Sequence, residues 1–400
     1  MNAEPDTASA PWARALEALE RRGRRRRMRI VDLGEDGRWI VDGRPVIHLS
    51  SNDYLGLARH PAVLEAAEAA LRRWGASASS ARLIAGNLEP HRELEEALAA
   101  FEGTEAALLY STGYMANVGV IGAIVGPGDA VYSDELNHAS LIDGCRQAGA
   151  TLRTYPHADV GALEAMLAED EEVARFRRRL LATDGLFSMD GDVAPLASLV
   201  DIKERYGCWM LVDEAHATGV LGEGGRGSIE QCGVSGRVEF VIATLGKSLG
   251  SFGAYVAAER DAIDYLINRS RSFIFTTAPP PPVVAAARAA LAVLEAEPER
   301  RERLWENIRR MARGLEAIGA GTMGSTTQIF PLLVGGDAET MAFSDALLEA
   351  GLFAQGIRPP TVPKGTARLR LTVTAALESG EIDRALEILE KVGRRQGVIR

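Results

Sequence analysis

From Ser51 to about Pro282, short apolar runs alternate with amphipathic stretches, and this alternation restricts the fold more than any other property of the chain. The runs are Ala106–Tyr110, Ala130–Tyr132, Leu180–Thr183, Met210–Val212 and Val241–Thr244. Each has the length of a strand and lacks polar alternation, as expected of strands covered on both faces. Between them lie stretches such as Val160, Leu163 and Leu167, apolar at helical spacing. Strand and helix in repetition predict an α/β fold, a mainly parallel central sheet wrapped by helices. Pro279-Pro-Pro-Pro282 breaks the pattern and precedes an alanine-rich helix expected over Val283–Ala296. A junction there divides the chain into a large domain, residues 51–285, and a smaller α+β domain, residues 286–400. The smaller domain is expected to have strands near Gln328–Val334 and Ala367–Val373 and a terminal helix after Gly380. Residues 1–50 read as an arm: 1–10 disordered, a helix over Ala13–Arg22, then a strand pair near Arg29–Leu49.

Two strand ends carry chemistry. Of the 45 basic residues only four are lysine, which leaves 41 arginines. Lys203, Lys364 and Lys391 sit among polar neighbours and read as surface residues, whereas Lys247 ends the apolar run Val241-Ile-Ala-Thr-Leu-Gly-Lys247. Desolvation at such a place lowers an amine's pKa and frees its lone pair for Schiff-base chemistry. Upstream, Cys208-Trp-Met-Leu-Val-Asp213 puts a carboxylate at the end of a buried strand, where open α/β sheets bind ligands. A buried carboxylate calls for a cation or several donors. The protonated pyridine nitrogen of pyridoxal phosphate meets that need, because the cofactor requires such a partner to remain an electron sink. His216, three residues on, is suited to hydrogen-bond the cofactor's phenolic oxygen.

Asp213-Glu-Ala-His216 and Gly246-Lys247-Ser248 also spell fragments of an NTPase. A phosphate loop, however, needs glycine where Val241 stands, and it would precede the acidic box rather than follow it. The NTPase reading therefore fails.

These motifs stand in order with Ser50-Ser-Asn-Asp-Tyr-Leu-Gly56, Ser111-Thr-Gly-Tyr-Met-Ala-Asn117, Asn137-His-Ala-Ser140, Thr183–Asp192 and Arg358-Pro-Pro-Thr-Val-Pro-Lys-Gly-Thr-Ala-Arg-Leu-Arg370. Jointly the chain resembles the α-oxoamine synthases of the fold-type I pyridoxal-phosphate enzymes over nearly its whole length. Synthases of that family that use glycine or serine, or another acyl chain as in secondary metabolism, share this machinery and stay open as alternatives; the Arg358–Pro363 block is most similar to the branch that serves biotin biosynthesis.

The resemblance implies a pyridoxal-phosphate-dependent decarboxylative condensation of L-alanine with a pimeloyl thioester on coenzyme A or acyl-carrier protein. It implies that Lys247 bonds the cofactor and moves the Cα proton, that Asp213 holds the ring nitrogen, and that His138 stacks on the ring. Gly113 and Tyr114, at a helix start, and Thr244 would hold the phosphate, with Ser188 and His216 near the phenolic oxygen. Thr276 and Thr277 would reach the phosphate from the second subunit of a homodimer with shared active sites. Arg370 would hold the amino acid's carboxylate, a bidentate role for a guanidinium. Arg368 shares its strand face and reads as a surface arginine. Asn52, Arg26 and Thr361 would face substrate, although the Arg24–Arg27 run offers several alignments to the arginine. Where relatives usually carry a Gly/Ser-rich stretch, this chain reads Gly75-Ala-Ser-Ala-Ser-Ser-Ala-Arg82, whose side chains restrict the backbone.

Composition removes other classes. A net charge of -10 argues against nucleic acid or an anionic membrane as bulk partner. The Arg21–Arg27 run reads as a solvated helix end. Cys145, Cys208 and Cys232 have no metal-ligand spacing, so no metal is expected, and their odd count suits a reducing cytoplasm. The first residues lack a signal-peptide pattern, and no apolar stretch approaches the ~20 residues of a membrane span.

Overall fold

The computed structural model describes residues 10–35 and 37–399. Along the chain the strands are β1 Val31–Leu33, β2 Trp39–Val41, β3 Arg44–His48, β4 Ala106–Tyr110, β5 Ala130–Asp134, β6 Thr151–Tyr155 and β7 Arg179–Asp184. They continue as β8 Trp209–Asp213, β9 Phe240–Thr244, β10 Ala254–Ala258, β11 Ile329–Gly335, β12 Leu352–Phe353, β13 Gln355–Ile357 and β14 Ala367–Thr372.

Two units partition these strands. One comprises the described residues through Ser51, Asn307–Val373 and those from Leu377 on; the other comprises Asn52–Glu306 and Thr374–Ala376. The larger unit is built on a sheet ordered β4-β10-β9-β8-β7-β5-β6. Within it β6, β5, β7, β8 and β9 pair in parallel, and β10 alone runs against its neighbours β9 and β4. The expected α/β fold, mainly parallel and wrapped by helices, is what the chain adopts. All five apolar runs read as strands are strands. β6 and β10 were not among them. β6 is an edge strand, half open to solvent and hence not apolar throughout, and the sequence of β10, Ala-Tyr-Val-Ala-Ala, favours helix by propensity. Leu163 and Leu167, at helical spacing, are fully buried in the helix Val160–Glu172.

The smaller unit holds two sheets, β1-β2-β3-β12 and β11-β14-β13. Three N-terminal strands stand where a pair was expected, and their helix runs Ala10–Arg21. Apart from Ala10, the residues read as disordered, 1–10, lie outside the described ones. Both sequence-based boundaries shift. The arm joins C-terminal residues because β3 pairs in parallel with β12. The helix after the prolines, Pro281–Ala296, packs on the helices Pro61–Trp74 and Glu89–Glu102, so the boundary falls at Glu306 instead of 285.

Two side chains read as surface groups are buried. Lys203 is 6% exposed and ion-paired with Glu239 at 2.6 Å, because it falls on the inward face of the helix Leu196–Arg205 beside Leu199 and Ile202. Arg368 is 2% exposed because β14 is the middle strand of its sheet. Its Nε donates to the carbonyl of Thr366 at 2.9 Å. Among the described residues no helix is long and apolar enough to cross a membrane.

Candidate active site

Strand register brings Asp184, Asp213 and Thr244 to one edge of the large sheet. Asp184 lies opposite Asp213 across β7 and β8, and β4, which leads to Gly113, is aligned with the end of β9 through Ala254 of β10. Parallel strands end together, and this carboxyl edge is where such sheets bind ligands. A cavity of about 200 Å³ opens there, and Gly113, Tyr114, His138, Ser188, Asp213, His216, Thr244 and Lys247 all line it.

Two glycines make the cavity possible. A Cβ on Gly113 would come within 2.8 Å of Thr244 Cγ2, so only glycine lets the helix Gly113–Ile124 start this close to β9. Thr112 caps that helix by accepting from Met115 N–H at 3.2 Å, which leaves the Gly113 and Tyr114 amides without an acceptor among the described residues. Two such amides at the start of a twelve-residue helix form an anion site. Gly250 has φ +57° and its backbone abuts Ala58, where a Cβ would lie 2.2 Å from the Ala58 nitrogen. This contact holds the loop after β9, on which Gly250 N–H also donates to the Lys247 carbonyl at 2.8 Å.

Asp213 is 6% exposed and fixed from both sides. Asn117 Nδ2 donates to its Oδ2 at 2.6 Å and Ala215 N–H to its Oδ1 at 2.9 Å. The network continues from Asn117 Nδ2 to Ser140 Oγ at 2.9 Å, and Ser140 Oγ lies 2.6 Å from His138 Nδ1. Burial lowers the His138 pKa; the Asp213 charge opposes that and Lys247 reinforces it, so the imidazole is neutral at neutral pH. Asp184 accepts from His138 N–H at 3.0 Å, and burial, then the Asp213 charge, raises its pKa well above the carboxylate range. On the other flank His216 Nδ1 lies 2.6 Å from Tyr54 Oη, which donates to Asn52 Oδ1 at 3.2 Å.

Asn117, Ser140 and Asp184 were not singled out from sequence. A signal existed for Asn117, which follows Gly113 by four residues and so shares its helix face. It is 1% exposed, with its Oδ1 unsatisfied. Thr276 and Thr277 do not line the cavity of their own chain. Arg26, Thr361 and Arg370 belong to the smaller unit, where Arg26 Nη2 donates to Thr361 Oγ1 at 3.2 Å and Arg370 Nη1 to Thr372 Oγ1 at 3.1 Å. Arg24 pairs with Asp337, and Arg25 and Arg27 with Glu20, so Arg26 is the member that meets Thr361.

The donor set fits pyridoxal phosphate. Unmet amides and the Thr244 hydroxyl suit its phosphate, the buried Asp213 suits a protonated ring nitrogen, and Lys247 supplies the amine.

A clamp outside the cavity steadies one wall. His157 Nδ1 lies 3.0 Å from Asp134 and Nε2 2.8 Å from Asp192, at the end of the segment that carries Ser188. Burial lowers the His157 pKa, but hydrogen bonds to Asp134 and then Asp192 outweigh it and push the value up to about 10. A raised folded-state pKa means the stabilisation is complete below the unfolded value of ~6.5 and disappears as pH climbs through about 10. Thermal midpoints measured from pH 6.5 to 10 are expected to decline for the wild type and to decline less for His157→Gln. Parallel curves for the two proteins would contradict this assignment.

The family model for aminotransferase class I and II matches residues 44–389. A Geotalea daltonii protein named 8-amino-7-oxononanoate synthase is 52% identical over 385 residues, 96% of this chain and 98% of the relative. A serine palmitoyltransferase from S. paucimobilis, solved with PLP and myriocin bound, superimposes with a TM-score of 0.91 at 31% identity, over 99% of this chain and 100% of that one. An 8-amino-7-oxononanoate synthase from Francisella tularensis gives a TM-score of 0.73 at 27% identity, over 88% and 99%.

Proposed function

This chain belongs to the class I and II aminotransferase family and groups with its 8-amino-7-oxononanoate synthases, and from that membership we propose that it condenses L-alanine with a pimeloyl thioester in biotin biosynthesis. The products are 8-amino-7-oxononanoate, CO₂ and the thiol of the carrier, coenzyme A or acyl-carrier protein. The observation that carries this reading is the 52% identity across nearly the whole of both chains.

When bound, pyridoxal phosphate supplies a carbonyl that condenses with amines and a protonated ring that accepts the electron pair left at Cα. The residues do the rest. Lys247 Nζ would bond the cofactor and would be the base that takes the Cα proton and later returns one. Asp213, held by Asn117 and Ala215, would keep the ring nitrogen protonated. His138, kept neutral by its burial, would face the ring without adding a competing charge. The Gly113 and Tyr114 amides, with Thr244, hold the phosphate, and Ser188 and His216 serve the phenolic oxygen. Arg370 binds the carboxylate that leaves as CO₂, and Arg26, Thr361 and Asn52 face the substrates.

The active form in this reading is a homodimer whose second copy delivers Thr276 and Thr277, which their own cavity does not use. The neighbouring Phe275 is 71% exposed, an apolar side chain suited to burial against that copy. The cytoplasm is the compartment that suits the unbonded Cys145, Cys208 and Cys232.

The TM-score of 0.91 to a serine palmitoyltransferase favours a second reading, with serine and a long acyl chain. Turnover with a panel of amino acids and thioesters separates the two. L-Alanine is expected to exceed glycine by only ~10- to 200-fold in kcat/KM, since one methyl group discriminates no better. Pimeloyl thioester should exceed palmitoyl thioester. The opposite order, serine with palmitoyl, would establish the second reading.

A further inference from the structure

Glu214 follows Asp213 but does not line the cavity. Its side chain is fully buried, and a buried carboxylate is costly unless donors surround it. The donors come from one place. Ser228 Oγ lies 2.8 Å from both carboxylate oxygens, Ser228 N–H donates to Oε2 at 3.0 Å, and Ile229 N–H donates to Oε1 at 2.7 Å. The Glu214 backbone is tied elsewhere. Its N–H donates at 2.6 Å to the carbonyl of Ile242 in β9, the strand that leads to Lys247. One residue thus joins β9 to the far end of the segment 219–228. That segment closes on itself, with Gly219 N–H donating to the Gly225 carbonyl at 2.7 Å and Gly227 N–H to the Leu221 carbonyl at 3.0 Å. Its two ends press on two side chains. Gly227, at φ +108°, abuts Glu214, where a Cβ would lie 2.7 Å from the carboxylate. Gly219, at φ +81°, abuts the residue after Lys247, where a Cβ would lie 2.5 Å from Ser248 Cβ. Ser248 is 2% exposed and its Oγ has no hydrogen-bond partner among the described residues, so packing decides where it lies. Close-packed interiors transmit small displacements of this kind.

We propose that Glu214 is a positioning residue for Lys247: its carboxylate holds the segment 219–228 in place, and Gly219 of that segment holds Ser248 and with it the adjoining lysine. The inference rests on the reading of Lys247 as the residue that bonds the cofactor and moves the Cα proton. Such a group tolerates little misplacement, since a shift of ~1 Å costs up to ~10²-fold in rate. The contact of Gly250 with Ala58 fixes the same turn at a second point.

Two variants act on the segment from its opposite ends. Glu214→Gln leaves a single acceptor oxygen and turns an NH₂ toward a backbone N–H. Gly219→Ala presses on Ser248 directly and leaves both Glu214 and Asp213 unchanged. Four quantities are measured on the full chain: the apoenzyme's dissociation constant for pyridoxal phosphate, the pH at which the bound cofactor's absorbance changes, kcat per bound cofactor, and KM for L-alanine. Both variants are expected to lower kcat per bound cofactor about tenfold or more and to move the absorbance midpoint in the same direction. The dissociation constant and KM should stay nearly unchanged, because the Gly113 and Tyr114 amides, Thr244 and Arg370 are untouched. Ser228→Ala, which removes one donor to Glu214, should give the same signature more weakly, and it stands in for either variant that fails to accumulate. A lowered thermal midpoint with wild-type kcat per bound cofactor and an unmoved absorbance midpoint would mark Glu214 as structural and overturn the proposal. An effect in Glu214→Gln with none in Gly219→Ala would route it through the adjoining Asp213 and overturn the proposal as well. Both of those results leave the functional reading intact. Wild-type enzyme labelled at another lysine after borohydride reduction would instead overturn that reading, and this proposal with it.

Discussion

Replacing Lys247 with alanine abolishes turnover by at least ~10⁴-fold and leaves no cofactor covalently attached to the chain. The size follows from two losses at once, the bond that anchors the cofactor and the base that moves the Cα proton, the latter alone worth ~10²–10⁴. Lys247 is suited to both because it lies on the glycine-rich loop after β9, in the cavity that holds Asp213 and His138. Borohydride reduction followed by peptide mapping reads the attachment directly. The wild type should yield one labelled peptide containing Lys247 and the variant none. A labelled peptide from elsewhere would show that another lysine does the work, and Lys203, buried against Glu239, has no comparable access.

Asp213→Asn should still bind the cofactor while losing ~10²-fold or more in kcat. An amide cannot hold the ring proton, and a carboxylate that contributes at least about 3 kcal/mol to the carbanion-like transition state accounts for that factor. The environment sharpens the expectation. Asn117 Nδ2 donates to Oδ2 at 2.6 Å, so an asparagine at 213 would place its own NH₂ either against that donor or against the Ala215 N–H. Asn117→Ala should produce a smaller loss in the same direction, because it loosens the carboxylate without removing it. Near-normal rates of Cα-proton exchange from L-alanine in Asp213→Asn would contradict the assignment.

Much of this was legible because strand ends are legible. A run such as Val241–Thr244 followed by Gly-Lys, or Met210–Val212 followed by Asp, announces both the strand and the edge at which it stops. Since parallel strands stop together, residues far apart in sequence could be assigned to one site. Other features depend on contacts that no local pattern encodes. Within Arg24–Arg27 four identical side chains are told apart only by Asp337, Glu20 and Thr361, two of them more than 300 residues away. Lys203 looked exposed because its neighbours in sequence are polar, whereas the helix turns it inward beside Leu199 and Ile202. Ser79 adopts φ +56° within the Gly75–Arg82 stretch, a backbone state uncommon for a residue with a side chain and one that no local pattern announces. The boundary near the prolines moved because Pro281–Ala296 packs on two earlier helices, a tertiary contact.

The central claim is that this site couples loss of CO₂ from L-alanine to acylation of its Cα. Holoenzyme incubated with pimeloyl thioester and L-alanine labelled in the carboxyl carbon tests it most directly, with released CO₂ and the amino-ketone product measured together. The account predicts label in CO₂ and none in the product, the two formed in equal amounts and neither formed without the thioester. Label retained in the product, CO₂ release independent of thioester, or amino-group transfer to a keto acid in place of condensation would contradict it.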